Sequence, residues 1–218
     1  MKKKFNKFNE EAERQRLFLM GEYERARRAQ GFSLIAGVDE AGRGPLAGPV
    51  VACAVILPED AFIRGLDDSK RLSAKKRAGL NIILREKAAA YGIGVIGGDV
   101  IDRVNIRQAT FLAMAEALKN LKTAPDYVLF DGLDAPPCAI PHEAIVHGDA
   151  RCASIAAASI IAKEYRDALM LEYDARYPSY GFASHKGYGT PEHIAAVLSR
   201  GPCPIHRLSF IGKYVRHT

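Results

Sequence analysis

Tryptophan is absent from the 218 residues, and the only four cysteines, Cys53, Cys138, Cys152 and Cys203, are scattered, with no C-x-x-C pair and no histidine at zinc-ligand spacing. A disulfide framework and a structural zinc site are both excluded as the basis of the fold. The thiols read instead as small core residues of a reducing cytoplasm. No run approaches the ~20 apolar residues needed to span a bilayer. Lys2, Lys3 and Lys4 resemble the positive end of a secretory signal, but no apolar stretch follows them. The expectation is a cytoplasmic protein with no membrane contact. Internal repeats and low-complexity segments are missing too, and the serines show no nucleophile-elbow pattern, which leaves covalent catalysis without support.

What is present suits one main body with a small appendage. Hydrophobic residues make up 48% and charged residues 26%, enough apolar surface to bury a core. The net charge of +6 and pI near 9.1 would attract a polyanion without identifying one. Residues 9–30 mix charges with Leu17, Leu19, Met20 and Tyr23 and lack proline, which predicts an exposed helix, read as solvated and packed on one side in preference to a nucleic-acid arm.

Two β-favouring runs, residues 34–38 and 50–57, flank the glycine- and proline-rich segment 41–49, predicting strand, tight loop, strand. Residues 74–90 have helical composition, 92–96 form a short strand candidate, 106–121 carry apolar residues at helical spacing, and 126–130 read as a buried strand. Another short strand is expected at 144–146. Residues 153–173 read as a long helix, in which Ala156, Ala157 and Ala158 permit close approach of a neighbour. Interleaved strands and helices predict an α/β fold, a sheet with flanking helices.

Four acids stand where a sheet presents side chains to solvent. Asp39 and Glu40 leave the first strand, Asp131 ends a later one, and Asp149 precedes the long helix. Any one of them has an ordinary explanation as a turn former or helix cap. If they converge at one edge, repulsion near ~4 Å costs several kcal/mol per pair at an effective dielectric of ~20, which divalent cations relieve. Oxygen-only ligands favour Mg²⁺ or Mn²⁺, and two such ions about 3.5 to 4 Å apart are a device for in-line attack on a phosphodiester. Directly after the first pair comes Gly42-Arg43-Gly44. Alone it reads as a tight turn, but beside paired acids it becomes a candidate ligand loop, with main chain open to close approach and an arginine able to meet phosphate.

The segment from Val38 to Val50 resembles the signature opening of the ribonuclease HII family. Further segments follow in the family's order: Asp67 to Ser73, Asp131-Gly132, Gly148-Asp149, Ser154 to Asp167, Tyr180 to Thr190 and Cys203 to Phe210. The resemblance covers residues 34–210 and implies a ribonuclease H-like mixed sheet with flanking helices and a small C-terminal helical part that closes over the substrate. It divides the chain into an N-terminal helical extension (1–33), a catalytic domain (34–168) and a C-terminal substrate-binding part (169–218). It also implies Asp39, Glu40, Asp131 and Asp149 as metal-binding catalytic carboxylates, Gly42, Arg43 and Gly44 as the loop that senses RNA 2′-hydroxyls, and Tyr188 as a ring stacked on a deoxyribose beside the cut. Ser69 and Lys70 are candidate phosphate contacts, although a turn and a surface lysine would look the same, and His185 and Lys186 are comparable candidates. His206 reads as structural, and His142, His147 and His193 lack ligand spacing.

The implied activity is metal-dependent cleavage of the RNA strand of RNA–DNA hybrids, and of duplex DNA 5′ to an embedded ribonucleotide, leaving 5′-phosphate and 3′-hydroxyl ends. Two alternatives stand beside it, a related nuclease needing several consecutive ribonucleotides and a non-catalytic hybrid-binding module. The set of four acids argues against the module, and Tyr188 favours junction recognition. A monomer is expected. The choice between Mg²⁺ and Mn²⁺, and any contact with a sliding clamp, are not legible in the sequence.

Overall fold

The structure, a computed structural model, describes residues 2–215. In chain order its elements are α1 (Lys2–Met20), α2 (Glu22–Arg28), β1 (Ile35–Ala41), β2 (Val50–Ile56), α3 (Ala74–Lys87), β3 (Ala90–Ile96), α4 (Gly98–Val104) and α5 (Ile106–Lys119). Then come β4 (Tyr127–Asp131), β5 (His142–Ile145), α6 (Gly148–Arg151), α7 (Ala153–Arg176), α8 (Phe182–His185), α9 (Pro191–Arg200) and α10 (Leu208–Val215). The strands form one mixed sheet in the order β3-β2-β1-β4-β5. β1, β2 and β3 are paired antiparallel, while β4 and β5 join parallel on the other side of β1. The expected α/β class is the observed one.

Both faces of this sheet are covered, which is why β2 is buried at every position. Strand side chains alternate, so Val51, Cys53 and Val55 meet α3 and α7, whereas Ala52, Ala54 and Ile56, with Val38 and Phe130, meet α5. Burying Ile155, Ile160 and Ile161 of α7 contributes about 1.5–3 kcal/mol each. The helix lies so close to β1 that a Cβ at Gly37 would fall 2.3 Å from the Ile155 nitrogen. The missing side chain of Gly37 allows that approach, and the small residues Ala156 to Ala158 that follow are fully buried. Helix starts follow their local signals: the side chains of Ser73, Asn105 and Thr190 accept from the amides of Lys76, Gln108 and His193, and Pro191 opens α9.

At the N-terminus the single expected helix is broken at Gly21 into α1 and α2, and it is docked on the body. Glu24 is buried, and its Oε1 accepts from Ser154 N and Ser154 Oγ, both at 2.8 Å, and from Cys152 Sγ at 3.2 Å. Cys152 provides no side-chain cap of its own, so Glu24 serves the open amides at the start of α7. Arg27 pairs with Glu143 of β5 at 2.6 Å, and Glu13 accepts the Gly65 amide at 2.7 Å.

Elsewhere β1 runs three residues past its expected end, which puts Asp39 and Glu40 inside the strand. β5 starts at His142 instead of residue 144, and α4, which opens on Gly98, had no expected counterpart. α7 passes unbroken through residue 168, so the sheet layer and the C-terminal helices share one helix.

Candidate active site

The strand pleat decides which acids meet. Asp39 and Asp131 are odd-numbered positions of parallel neighbours and point to the α7 face, where α6 delivers Asp149. One carboxylate oxygen from each of the three lies within 4.8 Å of the others. Glu40, the next residue on β1, points to the α5 face and is not in that group. Its Oε1 stands 3.4 Å from Arg43 Nη1, on the rim of a groove of about 240 Å³ that also touches Arg107, Phe111, Asp131 and Leu133. Three of the four expected acids thus share one oxygen cluster, and Glu40 stands beside it, near enough that its charge and those of Asp39 and Asp131 act on one another.

Burial and like charge act together on these groups. Asp39 is 2% exposed; its Oδ1 accepts the Glu40 amide at 2.6 Å, and its buried Oδ2 has no hydrogen-bond partner among the described residues. Burial first, then the charges of Glu40 and Asp131, push the Asp39 carboxyl well above the usual range, against a smaller downward pull from the nearby Ser159 hydroxyl and the Glu40 amide. Glu40 is raised mainly by burial, with Arg43 opposing. Asp131 is raised by burial and by Asp149, although its Oδ1 accepts the Gly148 and Asp149 amides at 2.7 and 3.3 Å. Lys70 reaches across to Asp149 Oδ2 at 2.9 Å, and this bond and charge outweigh burial to raise the Lys70 ammonium. Lys70 thus pairs with an acid of the cluster while its side chain stays largely exposed beside it.

The other candidates fall into two groups. Arg43 and Gly44 are exposed, and Tyr188 is close to them: a Cβ on Gly44 would lie 3.8 Å from Tyr188 Cε1. Gly187 accepts the amides of Leu46 and Ala47 at 2.8 and 3.3 Å, tying the two distant segments together. Tyr188 remains 46% exposed. Ser69, by contrast, is buried with its Oγ 2.8 Å from Ser159 Oγ, which takes it away from any surface phosphate. His185 is likewise used internally. Its Nε2 faces the Tyr180 carbonyl at 2.8 Å, and Nδ1 accepts the Gly187 amide at 3.1 Å, which assigns the proton to Nε2. The Lys186 ammonium folds back onto the Ala183 carbonyl.

Sequence reasoning passed over the supports of Tyr188. His193 is fully buried, stacks on His185 at 4.3 Å and faces the Tyr188 carbonyl through Nδ1 at 2.8 Å. Its Nε2 meets His206 Nε2 at 3.0 Å, while the Cys203 amide donates to His206 Nδ1 at 2.9 Å. Both rings are consistent with neutral tautomers, and burial pushes His193 down to about 4 and lowers His206. Arg166 and Arg207 were also missed; both are fully buried beneath the loop of residues 42–49.

Carboxylates crowded in this way repel one another until a cation sits among them, and an all-oxygen donor set suits a hard divalent ion. Such a centre at the edge of a mixed sheet, beside an arginine-bearing loop and an exposed ring, defines a ribonuclease H-like, metal-dependent nuclease.

The comparisons make the assignment particular. The family model described as Ribonuclease HII matches residues 36–213. Ribonuclease HII of Geotalea daltonii is 54% identical over 191 residues, 88% of each chain. Ribonuclease HII of Ruminiclostridium cellulolyticum is 53% identical over 210 residues, 96% of this chain and 82% of that protein. Among solved structures, ribonuclease H2 from Pyrococcus horikoshii superposes with a TM-score of 0.72 at 26% identity, covering 84% of this chain and 98% of that one. The chain belongs to the ribonuclease HII family. It is an endoribonuclease that hydrolyses the RNA of RNA–DNA hybrids and depends on metal. Among the described residues no helix is long and apolar enough to cross a membrane.

Proposed function

We propose that Asp39, Asp131 and Asp149 hold the divalent metal, Mg²⁺ or Mn²⁺, with Glu40 completing the site from the groove side, and that the enzyme cuts 5′ to a ribonucleotide, including a single one embedded in duplex DNA. The products are a 5′-phosphate on the ribonucleotide and a 3′-hydroxyl upstream. The observation that carries this reading is the buried, partnerless Asp39 Oδ2 within a group of three carboxylates spanning 4.8 Å. A buried carboxylate oxygen without a partner is costly, and a hard cation is the partner its chemistry fits. When bound, two such ions supply charge neutralisation at the phosphate and activation of the attacking water.

The protein's own residues do the rest. The Asp131 carboxylate is held in place by the Gly148 and Asp149 amides, and Lys70 holds one oxygen of Asp149, the acid that would share in binding the metal. Gly42, Arg43 and Gly44 present main chain and a guanidinium to the 2′-hydroxyl, the group that distinguishes RNA from DNA. Tyr188 offers its exposed face to the neighbouring deoxyribose. Lys186 belongs to the phosphate-facing surface once released from Ala183, whereas Ser69 and His185 act by shaping the walls. Residues 1–33 serve as a docked extension, 34–168 as the catalytic domain and 169–218 as the substrate-binding part. The enzyme works as a monomer in the cytoplasm.

The closeness of Tyr188 to Gly44 favours recognition of an RNA–DNA junction over a requirement for several consecutive ribonucleotides. Cleavage of duplex DNA carrying one ribonucleotide, with the ends mapped, tests this. A single cut on its 5′ side is expected; no cut there, with a long hybrid still cleaved, would replace the reading by the alternative.

A further inference from the structure

Arg166 on α7 and Arg207 just before α10 are 1% and 0% exposed, and among the described residues neither has an ion-pair partner. Both spend their donors on main-chain carbonyls. Arg166 donates from Nε to Pro49 O at 3.0 Å, from Nη1 to Lys186 O at 3.0 Å and from Nη2 to Ala47 O at 3.2 Å. Arg207 donates from Nε to Gly48 O at 3.0 Å, from Nη1 to Arg43 O at 2.9 Å and from Nη2 to Gly42 O at 2.6 Å. Five of these six carbonyls belong to the loop of residues 42–49. Gly42 lies directly against the first guanidinium: its φ is +95°, and a Cβ there would stand 2.1 Å from Arg166 Nε.

Two buried cations with no acid in direct contact, Asp102 and Asp167 acting on them only from a distance, are a costly way to pack a loop, and apolar side chains of similar volume would do that alone. What only a guanidinium does is hold several carbonyls in one plane. In a planar trans peptide the C=O and N–H point in opposite directions. Drawing the carbonyls of Gly42 and Arg43 inward onto Arg207 therefore turns the amides of Arg43 and Gly44 outward, on the exposed side of the turn.

We propose that Arg207, supported by Arg166, is a positioning residue for ribonucleotide recognition, fixing the Gly42–Gly44 main chain with its amides toward a 2′-hydroxyl and the adjacent phosphate of the substrate. This rests on the reading of that loop as the part that senses the 2′-hydroxyl. The guanidinium never touches substrate. It acts through the loop, as a buried donor fork.

The test uses the full chain without added metal, with binding measured to duplex DNA carrying one ribonucleotide and to the all-DNA duplex of the same sequence. Arg207→Lys keeps a charge but cannot span three carbonyls. It should lose at least about tenfold of the preference for the ribonucleotide duplex, the size of one or two hydrogen bonds, while all-DNA binding shifts by less than about threefold. Gly44→Pro removes one outward amide while keeping the Arg207 side chain and the Arg43 carbonyl it binds, and should lose the preference as well. If Gly44→Pro loses it and a folded Arg207→Lys keeps it, the positioning role is overturned and the loop reading stands. If Gly44→Pro also keeps it, the loop reading fails first. Should Arg207→Lys not fold, Arg166→Lys takes its place, since it loses donors to Pro49 and Ala47 of the same loop: a lost preference is expected, and a folded Arg166→Lys that keeps it would overturn the proposal.

Discussion

Replacing Asp39 by Asn should make the metal-free protein more stable and nearly inactive, a combination that an ordinary core aspartate would not produce. With ligand oxygens no more than 4.8 Å apart, a fully ionised pair repels by about 3 kcal/mol at an effective dielectric of ~20. Because burial and neighbouring charge push the Asp39 carboxyl well above its usual range, the repulsion is only partly expressed without metal, which leaves a gain of about 1–3 kcal/mol. Asparagine keeps the acceptor for the Glu40 amide, and its NH₂ replaces the partnerless Oδ2 with a donor to the neighbouring carboxylates. In a chain of 218 residues the melting temperature in chelator should rise by about 2–12 °C. Millimolar Mg²⁺ or Mn²⁺ should then narrow or reverse the difference, since only the wild type gains fully from binding the ion. Thermal melts in chelator and in metal, with hybrid cleavage measured alongside, give the result, and activity should fall by about 10²-fold or more. A variant less stable than wild type in chelator, or equally stabilised by metal, would refute the repulsion argument.

Glu24→Ala should lower stability by about 1–3 kcal/mol with no dependence on metal, because it uncaps α7 at Ser154; urea unfolding in chelator and in Mg²⁺ checks this. His193 is held near 4, below its unfolded value of ~6.5, so its stabilising contribution is whole above pH 6.5 and is lost as pH falls toward 4. The loss should be about 1–2 kcal/mol at pH 5, read as the difference between wild type and His193→Asn unfolding at pH 7 and 5. The raised acids act in the opposite sense, since protonating Asp39 and Asp131 on acidification relieves repulsion, and a difference between variants isolates the histidine. Tyr188→Phe should keep most activity, while Tyr188→Ala should lose about 5- to 150-fold, more on a single embedded ribonucleotide than on a long hybrid; equal losses would make the ring a general support.

The candidate acids could be found in the sequence because each sits at the end of an apolar run or before a run of small residues, and the motif around Asp39 is local. Which of them converge was not legible, since Asp39 and Glu40 are adjacent letters on opposite faces once β1 is seen to run on to Ala41. Ser69 and His185 looked available for substrate because their partners, Ser159 and the Tyr180 carbonyl, are set by tertiary packing. Glu24 read as one more charge on a solvated helix; its partner Ser154 lies 130 residues away, and no periodicity reports that. Arg166 and Arg207 were hidden for the same reason, as basic residues that no composition argument would bury. The sheet and long helices were readable from apolar patterning, whereas the break at Gly21 and the short α4 depend on local geometry that patterning does not carry.

The central claim, that the carboxylates of Asp39, Asp131 and Asp149 hold the metal on which RNA cleavage depends, is tested most directly by titrating Mn²⁺ into metal-free wild type and Asp131→Asn protein. Calorimetric binding and hybrid cleavage would be followed over the same concentrations. The account predicts that wild-type cleavage rises in step with occupancy of the site, and that Asp131→Asn loses both the binding and at least about 10²-fold of the rate while remaining folded. Undiminished Mn²⁺ binding by Asp131→Asn, or wild-type cleavage that persists in chelator, would contradict it.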